Sequence, residues 1–362
     1  MPDAIWIDRS DELPALADKL STHERIGVDT EFLRERTFFP KLCLLQLSAG
    51  DEIWCIDTLR VGSLAPLMGP LTAPSSHKLV HAARQDLEAL YLVEKKVLSP
   101  IFDTQIAAAC VGLKPQIGYA ELVMTLLEVN LPKGQTRTDW SKRPLTREQL
   151  AYAADDVRYL GEVAAKLTEQ LTRLGRLEWA RQDCQALEAL ELYEPDVSKS
   201  WQRMRGIGNL AAAARGRAKA IAVWRERLAR ERDLPRSWIL DDAALFAVAH
   251  AAPKSPAALE SIKPLNARFA ASLLETLAAA TEDSDDAPPM DLRPTPEQKA
   301  LIDRLNKVVD ARAKELQLSS EVLAPRGEIK SIALGNRTSP ALSGWRADEI
   351  GTRLLAALPE AA

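Results

Sequence analysis

Short apolar runs separated by stretches of helical periodicity predict an α/β domain in the first half of the chain. Strand-length runs rich in Ile, Leu, Val and Cys cover residues 4–8, 26–28, 41–48, 51–57 and 77–81. The short link at 48–51 predicts a hairpin, and we expect the first three sheet strands to be antiparallel neighbours. Because helical periodicity separates other strands, the pattern is typical of a sheet covered by helices.

The pattern becomes almost purely helical further along the chain. One long helix is expected from about 147 to 174, capped by Thr146. From 198 onward Ala, Leu and Arg dominate, and strand signals nearly vanish. The acidic, proline-bearing stretch 281–289 predicts a linker. We therefore expect three domains: an α/β domain over 1–195 and two small all-α domains over 196–282 and 290–362.

The amino-acid composition indicates the class of protein to which the chain belongs. The chain has 362 residues, of which 46% are hydrophobic and 27% charged, as in ordinary globular proteins. No apolar run reaches membrane-spanning length, and the N-terminus lacks the pattern of a signal peptide, so we expect a cytoplasmic protein with no membrane partner. The cysteines are scattered, which predicts reduced thiols and argues against structural zinc. They are Cys43, Cys55, Cys110 and Cys184.

The net charge of −4 hides a basic segment. Residues 198–240 contain eleven Lys or Arg against three Asp or Glu. Such an excess suggests an electrostatic track for nucleic acid, although the spacing spreads it over more than one helix face. The candidate cations are Arg215, Arg217, Lys219, Arg225, Arg227, Arg230 and Arg232. We expect Trp201, Trp224 and Trp238 to pack in the core.

Two carboxylates end the strand at 26–28. Asp29 and Glu31 are two residues apart, so their side chains point to the same face of a strand. Like charges this close repel unless a proton or a cation lies between them. Mg²⁺ prefers such oxygen ligands.

Later segments supply further acids. Asp86 follows the strand at 77–81, near the start of a helix, and Asp156 lies one helical turn after Tyr152. Asp155 is three residues from the tyrosine and competes for the same role. A two-metal phosphodiesterase needs two divalent ions, which four carboxylates can hold, and a nearby hydroxyl can orient the attacking water.

These segments, in this order, resemble the ribonuclease D family of DEDDy 3′–5′ exonucleases. The first motif matches Asp29-Thr30-Glu31-Phe32, the second matches the segment from His81 to Leu87, and the third matches the segment from Tyr152 to Val157. The segments 131–135 and 139–145 resemble the family's connecting region. The fold implied for 1–190 is ribonuclease H-like.

The resemblance also implies a chemistry. Asp29, Glu31, Asp86 and Asp156 would bind two Mg²⁺ or Mn²⁺ ions, and Tyr152 would position the water. The expected activity releases 5′-mononucleotides from RNA with a free 3′ end, in the processing of tRNA precursors and other small structured RNAs. No protein partner is predicted.

The segment 232–242 and the helix after it resemble an HRDC domain, a nucleic-acid-binding module, and the family's organisation implies a second such domain over 290–362. Two alternatives stay open: a 3′–5′ DNA exonuclease, and a non-catalytic nucleic-acid-binding adaptor. His81 is expected to pack rather than bind metal. Lys133, Arg137, Lys142 and Arg143 are either phosphate ligands or solvated charges. Among Phe32, Phe38 and Phe39, at least two are expected to pack in the core.

Overall fold

A computed structural model describes residues 4–132, 138–262, 267–283 and 294–359. The chain forms two compact units. The first contains residues 1–33, 42–190 and 294–362, and the second contains 34–41 and 191–293. Within the described residues, no helix is both long and apolar enough to cross a membrane.

The first unit is built around a six-stranded mixed sheet in the order β1-β4-β3-β2-β5-β6. The strands are β1 (Ile5–Ile7), β2 (Arg25–Leu33), β3 (Lys41–Ala49), β4 (Glu52–Ile56), β5 (His77–Val80) and β6 (Ile101–Asp103). The β3–β4 hairpin is antiparallel, as expected. β1 contradicts the expectation for the first strands, because it pairs in parallel with β4. β2–β5 and β5–β6 are also parallel.

Nine α-helices accompany the sheet in this part of the described chain. They are α1 (Leu13–Leu20), α2 (Thr58–Val61), α3 (Met68–Thr72), α4 (Arg84–Glu94), α5 (Thr104–Cys110), α6 (Tyr119–Leu127), α7 (Arg147–Arg158), α8 (Leu160–Arg173) and α9 (Leu177–Gln185). α8 buries Leu160, Val163, Leu167 and Leu171, which share one helical face. These side chains join the core against Leu79 of β5.

The long helix expected over 147–174 is wrong as a single helix. Thr146 and Gln149 form the capping box that starts α7. However, the helix ends at Arg158, and Tyr159 has non-helical torsions. Ser48 Oγ donates to the carbonyl of Val157 at 2.9 Å, and the amide of Tyr159 donates to the Tyr119 hydroxyl at 3.2 Å. Backbone groups at the break thus bond to distant side chains, which allows the chain to change direction before α8.

The second unit is helical. Its helices are α10 (Ala212–Arg232), α11 (Arg236–Ile239), α12 (Asp242–Ala251), α13 (Pro256–Glu260) and α14 (Ala267–Ala279). Ile221, Leu245 and Leu273, one from each of the longer helices, are fully buried in a common core. The segment 34–41 belongs to this unit. Phe38 is buried there, with the Arg236 guanidinium 4.5 Å from its ring centre.

The C-terminal helices form a separate apolar cluster inside the first unit. They are α15 (Pro296–Leu316), α16 (Ser320–Leu323), α17 (Arg326–Ala333), α18 (Gly344–Arg346) and α19 (Thr352–Ala356). Trp345 stacks on Trp179 of α9, with ring centres 4.4 Å apart, and Arg346 pairs with both carboxylate oxygens of Asp183. That 290–362 is a second HRDC domain stays a prediction.

Shorter turns complete the described chain. The 3₁₀ turns are Ser10–Glu12, Ala65–Leu67, Ala186–Glu188, Leu190–Leu192, Val197–Arg203, Ile207–Asn209 and Pro340–Leu342, and a π turn covers Ala347–Gly351. All four cysteines are buried free thiols, as predicted.

Candidate active site

Three of the predicted acids meet at one place in the first unit. Asp29 and Glu31 lie on β2, and Asp156 lies on α7, which packs against that strand. One carboxylate oxygen from each lies within 4.8 Å of the others, a spacing that suits ligands of one metal ion. The alternation of a strand and the one-turn offset of a helix therefore bring together residues more than 120 positions apart.

Asp86 approaches this cluster from the first turn of α4. Thr30 Oγ1, on the strand between Asp29 and Glu31, donates a 2.5 Å hydrogen bond to Asp86 Oδ1. The Asp86 charge is close enough to raise the pKa values of Asp29 and Glu31. The fourth predicted acid is thus held beside the other three, although its oxygens are not part of the 4.8 Å group.

The carboxyl groups of the cluster are buried close together, which disfavours their ionised forms. Burial raises the pKa of Glu31 to about 8, with a further contribution from the charges of Asp156 and Asp86. Burial raises the pKa of Asp156 to about 7 and that of Asp86 to about 6. The pKa of Asp29 is raised well above its usual range, first by burial and then by its three acidic neighbours. The acids therefore need protons or cations to coexist.

Tyr152 lies at the edge of the cluster, one turn before Asp156. Its hydroxyl forms a hydrogen bond with the Asp156 carboxylate, and burial together with the acid charges raises the tyrosine pKa. The ring is tilted against buried Trp140, with ring centres 6.1 Å apart. At neutral pH the hydroxyl therefore keeps its proton and acts as a donor.

Asp155 faces a different environment from Asp156. Arg158 Nε donates to Asp155 Oδ1 at 2.8 Å, so an arginine compensates this carboxylate. Asp155 is not a member of the 4.8 Å group. The geometry therefore supports the choice of Asp156 over Asp155 as the candidate ligand.

Several other candidates have structural contacts. His81 Nε2 bonds to the carbonyl of Ile117 at 3.0 Å and Nδ1 to Thr104 Oγ1 at 2.9 Å, which anchors the ring away from a ligand role. Arg143 pairs through two nitrogens with buried Asp57 and donates to the Trp140 carbonyl. The side chain of Lys142 is 79% exposed. Lys133 and Arg137 lie outside the described residues.

The basic segment of the second unit is largely compensated. Arg215 and Lys219 both pair with Asp283, a residue of the expected linker, and Arg225 pairs with Asp242. The remaining contacts are Arg217 with the Ala249 carbonyl, Arg230 with Glu226 and Arg232 with Glu231. Six of the seven candidate cations thus have an acid or a carbonyl as partner, and their role as an electrostatic track stays a prediction.

One tryptophan of this unit contradicts the expected packing. Trp238 is 58% exposed, because in the single turn of α11 its neighbour Ile239 points into the core instead. Trp224 is half-buried and donates to Ser272 Oγ at 3.0 Å. Trp201 is also half-buried, with the Lys219 ammonium 4.0 Å from its ring centre.

Comparison with known proteins identifies the family. A family model described as 3′–5′ exonuclease matches residues 4–172, and an HRDC domain model matches 214–280. Curated proteins named ribonuclease D from Gluconacetobacter diazotrophicus and Xanthomonas oryzae are 36% and 37% identical to this chain. The alignments cover 98% and 94% of this chain and 93% and 94% of theirs. The chain belongs to the ribonuclease D family.

Solved structures agree with this assignment. The crystal structure of Escherichia coli RNase D, described as an exoribonuclease involved in structured RNA processing, superimposes with a TM-score of 0.90. It is 30% identical, and the match covers 98% of each chain. The catalytic core of RRP6 from Trypanosoma brucei is 25% identical, with a TM-score of 0.60 over 76% of this chain and 79% of that one. The chain is accordingly a 3′–5′ exonuclease, a hydrolase, with a ribonuclease H-like nuclease domain and an HRDC domain.

Proposed function

We propose that this exonuclease is a metal-dependent 3′–5′ exoribonuclease that releases 5′-mononucleotides. Its substrates would be RNAs with a free 3′ end, above all tRNA precursors and other small structured RNAs. The observation that carries the proposal is the convergence of Asp29, Glu31 and Asp156, with Asp86 beside them and the Tyr152 hydroxyl at the edge.

The donor set fits two divalent metal ions, Mg²⁺ or Mn²⁺. Four carboxylates from three elements supply only oxygen, the ligand that these hard cations prefer. Their raised pKa values reflect mutual repulsion and burial that bound cations would relieve. The ions would neutralise charge on the scissile phosphate and make hydroxide available near neutral pH.

Side chains of the protein would orient the attacking water and the metal ligands. Tyr152 is a protonated hydroxyl whose position is fixed by Asp156 and by the Trp140 ring, which suits it to orient the attacking water. Thr30 fixes the Asp86 carboxylate through its hydroxyl. Such preorganisation costs no rearrangement at the moment of reaction.

One observation supports RNA as the substrate, and a second supports binding of an unpaired strand of either kind. The relatives at 36% and 37% identity are named ribonuclease D, and the E. coli structure is described as an exoribonuclease. The HRDC domain also presents Trp238, an exposed ring on which an unpaired base could stack. A DNA strand would present the same phosphodiester bond without the 2′-hydroxyl, so an assay on both substrates must distinguish the two hypotheses.

The test is a time course on a 5′-labelled tRNA that carries a 3′ extension, beside a DNA strand of equal length, with Mg²⁺ or with EDTA. We expect a ladder that shortens from the 3′ end only on RNA and only with metal, together with unlabelled 5′-mononucleotides that chromatography of the same reaction detects. Equal digestion of DNA would overturn the substrate assignment. Cleavage that persists in EDTA would overturn the metal dependence.

Adjacent acids offer a matched pair of variants. Asp156→Asn should lower turnover about 10²- to 10³-fold, the range expected when one transition-state contact is lost, about 2.7–4 kcal/mol. Asp155→Asn makes the same chemical change one residue away and should keep activity within about tenfold, because Asp155 pairs with Arg158. An inactive Asp155 variant beside an active Asp156 variant would reverse the assignment.

A further inference from the structure

A buried carboxylate outside the acidic cluster joins two segments of the nuclease domain. Asp103 ends β6 and is only 2% exposed. Its Oδ1 accepts hydrogen bonds from the amides of Gln105 at 2.8 Å and Ile106 at 3.3 Å, which caps the N-terminus of α5. A capping aspartate normally serves one helix end.

The same carboxylate also reaches the turn before α4. Ala82 N donates to Asp103 Oδ1 at 3.1 Å, and Ala83 N donates to Asp103 Oδ2 at 2.9 Å. Four backbone amides from two segments therefore share one carboxylate, and such charge-assisted bonds are stronger than neutral ones.

The turn that Asp103 holds is strained. Ala82 has φ +56°, in the left-handed region that a residue with a Cβ rarely adopts. A turn of this kind persists only when the surrounding contacts enforce it. Within this turn, the amides that Asp103 binds are those of Ala82 itself and of Ala83, the residue after it.

This turn leads directly to the fourth acid of the site. α4 begins at Arg84, and Asp86 lies in its first turn. Ala83, which Asp103 holds, is the N-cap of this helix, and its carbonyl accepts the first helical hydrogen bond from Leu87 N at 2.9 Å. The position of the turn thus sets where Asp86 meets Thr30 and the other acids.

We propose that Asp103 is a positioning residue for the metal site. Its carboxylate holds Ala82 in the left-handed conformation and thereby places Asp86 in the acidic cluster. The inference rests on the proposed function, since it assumes that the cluster binds divalent ions. Residues behind metal ligands typically change metal affinity 10- to 100-fold when altered.

The test measures Mn²⁺ binding to the full chain by calorimetry, independently of activity. Asp103→Asn keeps the size of the side chain but replaces one acceptor oxygen with a donor, so an amide of the turn loses its bond. We expect Mn²⁺ to bind 10- to 100-fold more weakly. Asp241→Asn is the matched control, because Asp241 caps α12 in the HRDC domain, and it should leave Mn²⁺ affinity unchanged.

A second substitution separates positioning from general stability. Glycine adopts positive φ without strain, so Ala82→Gly in the Asp103→Asn background should recover at least threefold of the lost affinity. The single Ala82→Gly variant should bind Mn²⁺ nearly as the parent does. If Asp103→Asn does not fold, Asp103→Glu, which keeps the charge but displaces it, takes its place with the same expected weakening.

The outcomes separate this inference from the proposed function. Unchanged Mn²⁺ affinity in the Asp103 variant, with binding abolished in Asp156→Asn, would overturn the role of Asp103 and leave the metal site standing. Weakened binding that Ala82→Gly does not restore would overturn the route through the turn. Unchanged Mn²⁺ affinity in Asp156→Asn itself would overturn the proposed site.

Discussion

Neutralising one acid of the cluster should make the metal-free protein more stable. Burial raises the pKa of Asp156 to about 7, whereas an aspartate in an unfolded chain titrates near 3.9. The folded state therefore keeps a proton that the unfolded state releases, so this group lowers stability progressively as pH rises through that window. Asparagine has nearly the same shape, carries no charge and still accepts from the Tyr152 hydroxyl.

The size of the effect follows from the pKa difference. About three pKa units correspond to about 4 kcal/mol at pH 8, at 1.36 kcal/mol per unit. Because protons on Glu31 and Asp86 already relieve part of the repulsion in the parent protein, the gain in stability expected for Asp156→Asn is about 1–4 kcal/mol. In a domain of this size each kcal/mol moves the melting temperature by about 2–4 °C.

The assay is thermal unfolding of the two proteins in EDTA across pH. Asp156→Asn should melt at the higher temperature at pH 8, and its advantage should shrink as pH falls towards 4. Saturating Mn²⁺ should reverse the order, because ions that bind only the folded state stabilise the parent more. Asp155→Asn, which loses its arginine pair, should show no gain. An Asp156→Asn variant that is less stable than the parent at pH 8 in EDTA would refute the reasoning.

Three further changes have defined outcomes. Tyr152→Phe removes only the hydroxyl and should lower kcat by about 10²-fold with Mn²⁺ affinity unchanged, measured by single-turnover kinetics and calorimetry. Trp238→Ala should raise KM several-fold on a full-length tRNA precursor but not on a dinucleotide, as steady-state assays on both would show. Trp345→Ala removes the stack on Trp179 and the bond to Asp183, and should lower the melting temperature by at least about 5 °C without changing Mn²⁺ affinity.

The acidic cluster was predictable because its members follow local rules. Asp29 and Glu31 share a face by strand alternation, and Tyr152 and Asp156 share one by helical spacing. The four-residue offset from Tyr152 also favoured Asp156 over Asp155, although the sequence did not show that Arg158 pairs with Asp155. The role of Asp103 was also hidden, because its amide partners at 82 and 83 are about twenty residues away in sequence.

Other features could not be predicted because they depend on contacts between residues that are far apart in the sequence. The break at Tyr159 depends on the Ser48 hydroxyl, 109 residues before the carbonyl that it binds. The sequence did not show that Arg215 and Lys219 pair with Asp283, because Asp283 lies more than sixty residues later in a stretch predicted to be a linker. An amphipathic helix can pack against many different apolar surfaces, so the sequence did not indicate that α15–α19 would belong to the first unit.

The most direct test of the central claim is a crystal structure with Mn²⁺ and a non-hydrolysable RNA bound, read by anomalous diffraction. We predict two anomalous peaks about 3.5–4 Å apart among Asp29, Glu31, Asp86 and Asp156, the spacing of two-metal sites. The Tyr152 hydroxyl should face the terminal phosphate. Strong peaks elsewhere, with none among these carboxylates, would contradict the proposed site.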